Sequence, residues 1–186
     1  YFTRDAAVTI GNHALICKMA NKVRMRESLI MQAIYKGSGE FACGIIDAYD
    51  HSPLNPNLFM EGGDILIARE DVLLIGNGIR TSSQGIDFLA SRLSAIAPQG
   101  RRHIIVQQLP HTPESFIHLD MVFTMLDRNK CMVFEPLILG DNQYQTIHII
   151  IDNGKIVKIS SVANMLTALK GLGMDFESVV CVGKAV

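Results

Sequence analysis

The sequence predicts an α/β fold built from three repeated ββαβ units. Three segments share one plan, an Asp followed by an apolar run, a polar turn and a second apolar run; they are RDAAVTIGNHALIC (4–17), GDILIAREDVLLIG (63–76) and LDMVFTMLDRNKCMVF (119–134). Each is followed by a stretch with apolar residues at helical spacing and by another short apolar run. Repeated units of this kind must pack on one another, because one unit cannot bury its own apolar face.

The first unit, roughly residues 1–50, continues beyond its hairpin with a helix and a strand. Apolar residues recur at helical spacing in residues 22–37, and Gly37 is a typical C-terminal stop. Residues 44–49 (GIIDAY) then have the composition of a buried strand.

The second unit, roughly residues 58–110, repeats that order. Ser82 or Ser83 is placed to cap a helix whose apolar residues form one face. The run HIIVQQL (103–109) predicts the closing strand.

The third unit, roughly residues 116–186, carries an inserted hairpin. Its turn is predicted at residues 152–154, where Asn-Gly accepts a positive φ. We then expect a helix capped by Ser160 or Ser161 and a last strand at residues 178–183.

Composition limits the class of protein. With 186 residues and 48% hydrophobic content the chain fits a single domain, residues 1–186. The formal net charge is −1 and no run of Lys/Arg is present, so we expect neither nucleic-acid nor membrane-surface binding. The apolar runs are shorter than a membrane span, and the first residues lack the features of a signal peptide.

The cysteines indicate a reducing compartment. Cys17, Cys43, Cys131 and Cys181 are widely spaced, without a spacing typical of zinc ligands, and three of them lie in apolar runs. A disulfide framework is not expected in a chain with this much core. We therefore predict a soluble, cytoplasmic protein.

Acidic residues at the starts of the repeats predict a site. If the units pack radially, the segments TRD, EGGD and HLD meet near one axis, and the glycines of EGGD permit a close backbone approach. Asp5, Glu61, Asp64 and Asp120 would then concentrate negative charge. In an extended segment His118 points the same way as Asp120, and a carboxylate such as Glu61 would favour its protonated form.

A planar organic cation fits these residues better than a metal ion. Only one histidine accompanies the carboxylates, and the spacing matches no metal motif. A guanidinium, in contrast, offers five N–H donors in a fixed fork to carboxylates around it. Arg24 and Arg80 follow their hairpins and are placed to hold a carboxylate at the other end of the ligand. Together these features describe arginine as the ligand.

The motifs FTRD, RMRES, EGGDILI, IRTS and HLDMVFTMLD resemble the arginine deiminase family, in order and over essentially the whole chain. That family belongs to the guanidino-group-modifying (amidinotransferase) superfamily, and the resemblance implies a pentein-type α/β propeller of five ββαβ units. It also implies that Asp5 and Asp120 bind the guanidinium and that His118 is the general acid/base.

The same resemblance implies the remaining roles. Glu61 would orient the histidine, Arg24 and Arg80 would contact the substrate carboxylate, and Asp64 would support the site. A cysteine thiolate would attack the guanidinium carbon, and water would then release citrulline, with no cofactor or metal.

The family's nucleophile lies in a late, Gly-rich and Met-rich context that this sequence does not match. Cys181 lies in the predicted last strand and is not proposed for that role. We therefore expect a fragment with three of five units, inactive alone, whose open apolar faces favour a homo-oligomer.

Two alternatives stay open. One is another guanidino chemistry, either amidino transfer or hydrolysis of agmatine or methylarginine. The other is a non-catalytic binder of guanidino ligands.

Overall fold

Three β-sheets organise the chain in the computed structural model, which describes residues 2–50, 55–96, 99–140 and 144–180. The strands and helices alternate along the chain, so the predicted α/β class is confirmed. No helix in these ranges has the length and apolar character that crossing a membrane would require.

The first sheet has three strands in the order β1-β2-β3, with β1 antiparallel to β2 and β2 parallel to β3. A 3-10 turn and a π turn flank the second helix, so the helical segment covers all of the predicted residues 22–37. The elements are α1 (Thr3–Ala6), β1 (Ala7–Ile10), β2 (His13–Ile16), α2 (Met25–Gln32) and β3 (Gly44–Asp47).

The second sheet begins with the same pairing, since β4 is antiparallel to β5 and β5 is parallel to β6. Ser82 caps the helix, because its Oγ accepts a hydrogen bond from the Gly85 amide (3.1 Å). The elements are a 3-10 turn (Gly62–Asp64), β4 (Ile65–Arg69), β5 (Val72–Asn77), α3 (Ser83–Ile96) and β6 (Arg101–Gln108).

The inserted hairpin belongs to the second sheet and not to the third. Its strands are β9 (Thr146–Asp152) and β10 (Lys155–Val162), and β9 pairs antiparallel with β6, so the sheet has five strands. The turn between them has positive φ at Asn153 (49°) and Gly154 (74°), as the Asn-Gly pair predicts.

The third sheet has the order β11-β8-β7, again with one antiparallel and one parallel pair. Its elements are β7 (Phe123–Asp127), β8 (Lys130–Val133), α4 (Glu135–Ile138), α5 (Met165–Gly171) and β11 (Glu177–Val180). The described strands thus contain the ββαβ pairing three times, whereas the number of units in a complete propeller stays a prediction.

Two details of the third unit differ from expectation. Ser160 and Ser161 do not cap the last helix, because both lie in β10; Asn164 caps it by accepting from the Thr167 amide (2.8 Å). The cap lies later in the chain than predicted, because β10 extends beyond the apolar residues that indicate the inserted strand. The predicted last strand, residues 178–183, is seen up to Val180, and its remaining residues, Cys181 included, lie outside the described ranges.

The central strands of the second sheet contribute buried side chains to both of its faces. Ile65, Ile75 and Ile104 pack with α3 and the first sheet, whereas Leu66 and Leu74 pack with the third sheet and α5. Successive strand residues point to opposite faces, so one sheet contributes to two apolar clusters. This central position brings the starts of all three hairpins to one place.

The Gly62-Gly63 pair allows the first two sheets to approach closely. A Cβ added at Gly62 would lie 1.9 Å from the backbone oxygen of Arg4. A Cβ at Gly63 would lie 2.6 Å from Nδ1 of His118. Only a residue without a side chain fits at either position, as the sequence analysis expected.

We expect Gly62→Ala to destabilise the chain by about 1–3 kcal/mol, because the Arg4 backbone must move to accommodate the methyl group. Urea unfolding followed by circular dichroism measures this change. Gly171→Ala is the matched control, since nothing lies within 4 Å of its Cβ position. Equal stability of the two variants would contradict the close approach as a constraint.

Candidate functional site

His118 lies at the start of the third hairpin and contacts carboxylates from the other two sheets. Its Nε2 donates to Oε2 of Glu61 (3.0 Å), and its Nδ1 lies 4.0 Å from Oδ1 of Asp5. All three residues are buried. Burial by itself lowers the pKa of His118, but the hydrogen bond to Glu61 and the charges of Asp64 and Asp5 raise that pKa above its ordinary value.

Glu61 is held from several directions. Oε1 accepts from the Ala20 amide (3.1 Å) and lies 3.5 Å from Nη1 of Arg80, and the Glu61 amide donates to Oγ1 of Thr81 (3.2 Å). Burial alone would raise the pKa of this carboxyl, but the bond to His118 and the charge of Arg80 lower it below its ordinary value. Both shifts favour an ionised carboxylate paired with a protonated imidazole.

Asp120 lies two residues after His118 and faces the same cavity. The intervening backbone is a 3-10 turn (Leu119–Met121) and not an extended strand as predicted, because the chain turns before β7 begins. Asp120 Oδ2 lies 3.5 Å from Nε of Arg4. Burial raises the pKa of Asp120, and the charges of His118 and Arg4 oppose that rise.

Asp64 lies beneath the cavity and does not line it. It is fully buried, and its Oδ1 accepts from the Leu119 amide (2.9 Å). Burial raises its pKa to about 7, although the His118 charge acts in the opposite direction. The geometry therefore places Asp64 as a support for the turn that carries His118, and it offers no direct contact to a ligand.

Arg24 is paired with three carboxylates. Its Nη1 donates to Oδ2 of Asp5 (2.7 Å) and lies 3.4 Å from Oε2 of Glu61. Its Nε and Nη2 donate to the two oxygens of Glu27 (2.9 and 2.7 Å). The predicted carboxylate-binding arginine thus contacts the acidic residues of the site, and its predicted role stays a prediction.

These side chains surround one cavity of about 520 Å³, a size typical of small-ligand sites. Charged groups and apolar side chains share its wall. The lining residues are Phe2, Asp5, Arg24, Arg80, Ile117, His118, Asp120 and Met121. Six of the seven residues predicted from the sequence thus meet here, five of them on the wall and Glu61 behind His118.

The same residues raise the question of a metal ion. Ligand atoms of Asp5, Glu61 and His118 all lie within 4.8 Å of one another. The guanidinium of Arg24 nevertheless already contacts both carboxylates, and His118 uses Nε2 to donate to Glu61. This arrangement favours an organic cation, so the expectation of no metal is retained as a prediction.

None of the described cysteines, Cys17, Cys43 and Cys131, lines the cavity. Cys17 lies nearest to the carboxylates but is fully buried. Burial, followed by the charges of Glu61, Asp5 and Asp64, raises its pKa far above the ordinary value. Its thiol is thus unsuited to act as a nucleophile.

The sequence analysis missed Glu27 and Arg4. Glu27 follows Arg24 by three residues in the segment RMRE, and that spacing on a helix predicts the ion pair that the structure contains. Arg4 belongs to the quoted motif FTRD, but its pairing with Asp120 crosses from the first sheet to the third, and no local pattern indicates it.

Comparisons with known proteins identify the family of the chain. The family model "Arginine deiminase" matches residues 1–185. The chain is 35% identical to arginine deiminase 1 of Staphylococcus epidermidis over 83% of its own length and 37% of that relative. It is 33% identical to arginine deiminase of Bacillus thuringiensis subsp. konkukian over 98% of its own length and 43% of that relative. The chain thus spans less than half the length of these relatives.

Solved structures show the same fold. The N-terminal domain of ArgZ, a cyanobacterial arginine dihydrolase, matches 73% of this chain and 44% of its own with a TM-score of 0.57 and 24% identity. DDAH from Pseudomonas aeruginosa, solved in complex with citrulline, matches 71% of this chain and 45% of its own with a TM-score of 0.53 and 20% identity. Both are members of the pentein family. The family match over nearly the whole chain and the identity to curated relatives lead to one conclusion: the chain belongs to the arginine deiminase family.

Proposed function

We propose that this chain carries the guanidino-binding and proton-transfer groups of an enzyme that hydrolyses L-arginine to L-citrulline and ammonia. The observation that carries the proposal is the His118–Glu61 pair beside Asp5 and Asp120 around one cavity. A protonated imidazole next to two carboxylates can bind a guanidinium and move the protons that its hydrolysis requires.

Substrate recognition begins with an exchange of cations. The Arg24 guanidinium donates a hydrogen bond to Asp5. In our proposal the substrate guanidinium binds between Asp5 and Asp120 and displaces that contact. Arg24, still paired with Glu27, and Arg80 then face the α-carboxylate. A ligand with cationic and anionic ends matches both sets of charges.

Proton transfer is assigned to His118. A thiolate attacks the guanidinium carbon, and the imidazolium gives its proton to the departing nitrogen, so the C–N bond breaks and ammonia leaves. The neutral imidazole next takes a proton from water, and the hydroxide attacks the same carbon. The C–S bond then breaks to give citrulline and the thiolate, while the hydroxyl proton of the adduct passes to solvent, where the released ammonia takes it up as ammonium. Glu61 holds the imidazole in place and stabilises its charged form during both steps. The thiolate belongs, in this proposal, to a cysteine other than the three described.

We also propose the setting in which this chemistry takes place. The segments 1–50, 58–110 and 116–186 are three units of a five-unit pentein propeller, and the whole forms one catalytic-type domain. The scattered cysteines support a cytoplasmic enzyme. Exposed apolar side chains on α2 and β10, such as Ile30 and Ile159, support assembly into a homo-oligomer.

The second candidate function is another reaction on a guanidino group. DDAH from P. aeruginosa, one of the structural neighbours, was solved in complex with citrulline. Agmatine has no carboxylate, so it leaves Arg24 and Arg80 without a partner. Two arginines on the cavity wall therefore favour free arginine. A ligand binder without catalysis would retain the contacts but lack turnover.

We expect His118→Ala to lower citrulline formation at least 100-fold in the protein expressed from the complete reading frame, because His118 supplies the imidazole among the described residues of the cavity wall. A colorimetric citrulline assay measures the rate. His111→Ala, at an exposed position in the preceding loop, is the control and should retain full activity. Normal turnover by the His118 variant would rule out the assignment.

Glu61→Gln should lower the pKa of His118, because the variant removes the anion that favours the imidazolium. Histidine titration by NMR in the chain itself measures this pKa. Since the folded pKa of His118 is raised, the ion pair stabilises the fold below the ordinary histidine pKa, and that stabilisation is lost as pH rises through the folded value. The two proteins should therefore differ most in stability at mildly acidic pH, where His118 and Glu61 are both charged. An unchanged His118 titration would refute the coupling.

Arg80→Ala should weaken arginine binding roughly ten- to hundredfold, because the variant loses a charge-assisted hydrogen bond to the substrate carboxylate. Agmatine binding should change much less, because agmatine lacks that group. Isothermal titration calorimetry measures the Kd of each ligand for the wild type and for the variant. Equal losses for the two ligands would show that Arg80 acts on the guanidinium end and would favour the second candidate.

A further inference from the structure

Asp120 separates two cavities. One is the candidate substrate cavity, and the other, of about 590 Å³, lies among the first strands of the three sheets, β1, β4 and β7. Among the described residues, Asp120 alone lines both, and Arg4 lines only the second. The Asp120 carboxylate thus has the substrate site on one side and Arg4 on the other.

Arg4 contacts all three sheets. Arg4 lies in α1, directly before β1, the first strand of the first sheet. Its Nη2 donates to the backbone oxygen of Ile65 in the second sheet (3.3 Å). Its Nε lies 3.5 Å from Oδ2 of Asp120 at the start of the third. Its own backbone oxygen packs against Gly62, which limits where its Cα can lie. The position of this guanidinium is therefore set by contacts outside the substrate cavity.

The charges around the site are distributed unevenly. Asp5 and Glu61 share Arg24 and His118, and Glu61 also contacts Arg80. Within the described ranges, Arg4 is the cation that forms an ion pair with Asp120. Burial and the nearby Asp5 charge favour the neutral form of Asp120, whereas the charges of His118 and Arg4 favour the ionised form. A neutral carboxyl is a weaker partner for a guanidinium.

We propose that Arg4 is a positioning residue, which keeps the Asp120 carboxylate ionised and turned toward the substrate guanidinium. The inference rests on the proposed function, in which Asp120 binds that guanidinium. Arg4 itself touches neither substrate nor reacting atoms; it acts through Asp120 from the second cavity.

The first experiment measures kcat/KM for arginine against pH in the complete protein, for the wild type, Arg4→Gln, Arg4→Lys and the control Arg128→Gln. Arg128 lies on the exposed turn between β7 and β8. Arg4→Gln should lower kcat/KM about fivefold near neutral pH, as expected for one partly exposed ion pair. The acidic limb of the kcat/KM profile of this variant should move to higher pH, because Asp120 then binds a proton more readily. Arg4→Lys should return the acidic limb to its wild-type position, and Arg128→Gln should match the wild type.

A double-mutant cycle with Asp120→Asn tests whether Arg4 acts through that carboxylate. In the Asp120→Asn background, Arg4→Gln should cause no further loss. An additional fivefold loss in that background, or an acidic limb that does not move in Arg4→Gln, would overturn the proposal.

A direct measurement keeps the inference separate from the proposed reaction. NMR titration of the Asp120 carboxyl in the 186-residue chain requires no turnover. Its midpoint should rise in Arg4→Gln and not in Arg128→Gln. If the complete protein does not hydrolyse arginine, the proposed function fails, and this titration still decides whether Arg4 controls Asp120. An unchanged midpoint refutes the pairing.

Discussion

The buried hydrogen bond between Glu61 and His118 joins the second sheet to the third at the point where the hairpins begin. Neither charge would be stable alone in this position, because removing an ion from water costs several kcal/mol unless a partner compensates. Each of the two charged groups is therefore stable in this buried position only because the other is its partner. The Ala20 amide and Arg24 connect the same carboxylate to the first sheet. The relative placement of the three sheets thus depends on a polar contact as well as on apolar packing.

Close approach of the backbones makes that contact possible. Gly62 lets the Arg4 carbonyl lie against the second sheet, and Gly63 leaves space for the imidazole of His118. Apolar packing on both faces of the five-stranded sheet then holds these positions. A site built where three sheets meet is rigid, because its residues belong to elements whose positions are already set by the core.

The acidic residues of the site divide into two groups by their surroundings. Asp5 and Asp120 line the cavity and are available to a cationic ligand, whereas Asp64 is enclosed and bonded to the Leu119 amide. The cations are arranged accordingly, with Arg24 and Arg80 on the cavity wall and Arg4 behind Asp120. The positive charges of these three arginines lie close to the carboxyl groups of the site and offset the repulsion among them.

The sequence by itself determined the α/β class, the ββαβ order and the residues that gather at the hairpin starts, because these depend on local periodicity, turn chemistry and short motifs. Only the tertiary structure decided that the inserted hairpin joins the second sheet, that Asp64 lies beneath the cavity and that Arg24 contacts Asp5. It also revealed the contact of Arg4 with Asp120. Each of these depends on distances between residues far apart in the chain, and such distances follow from the packing of whole sheets, which local sequence patterns do not encode.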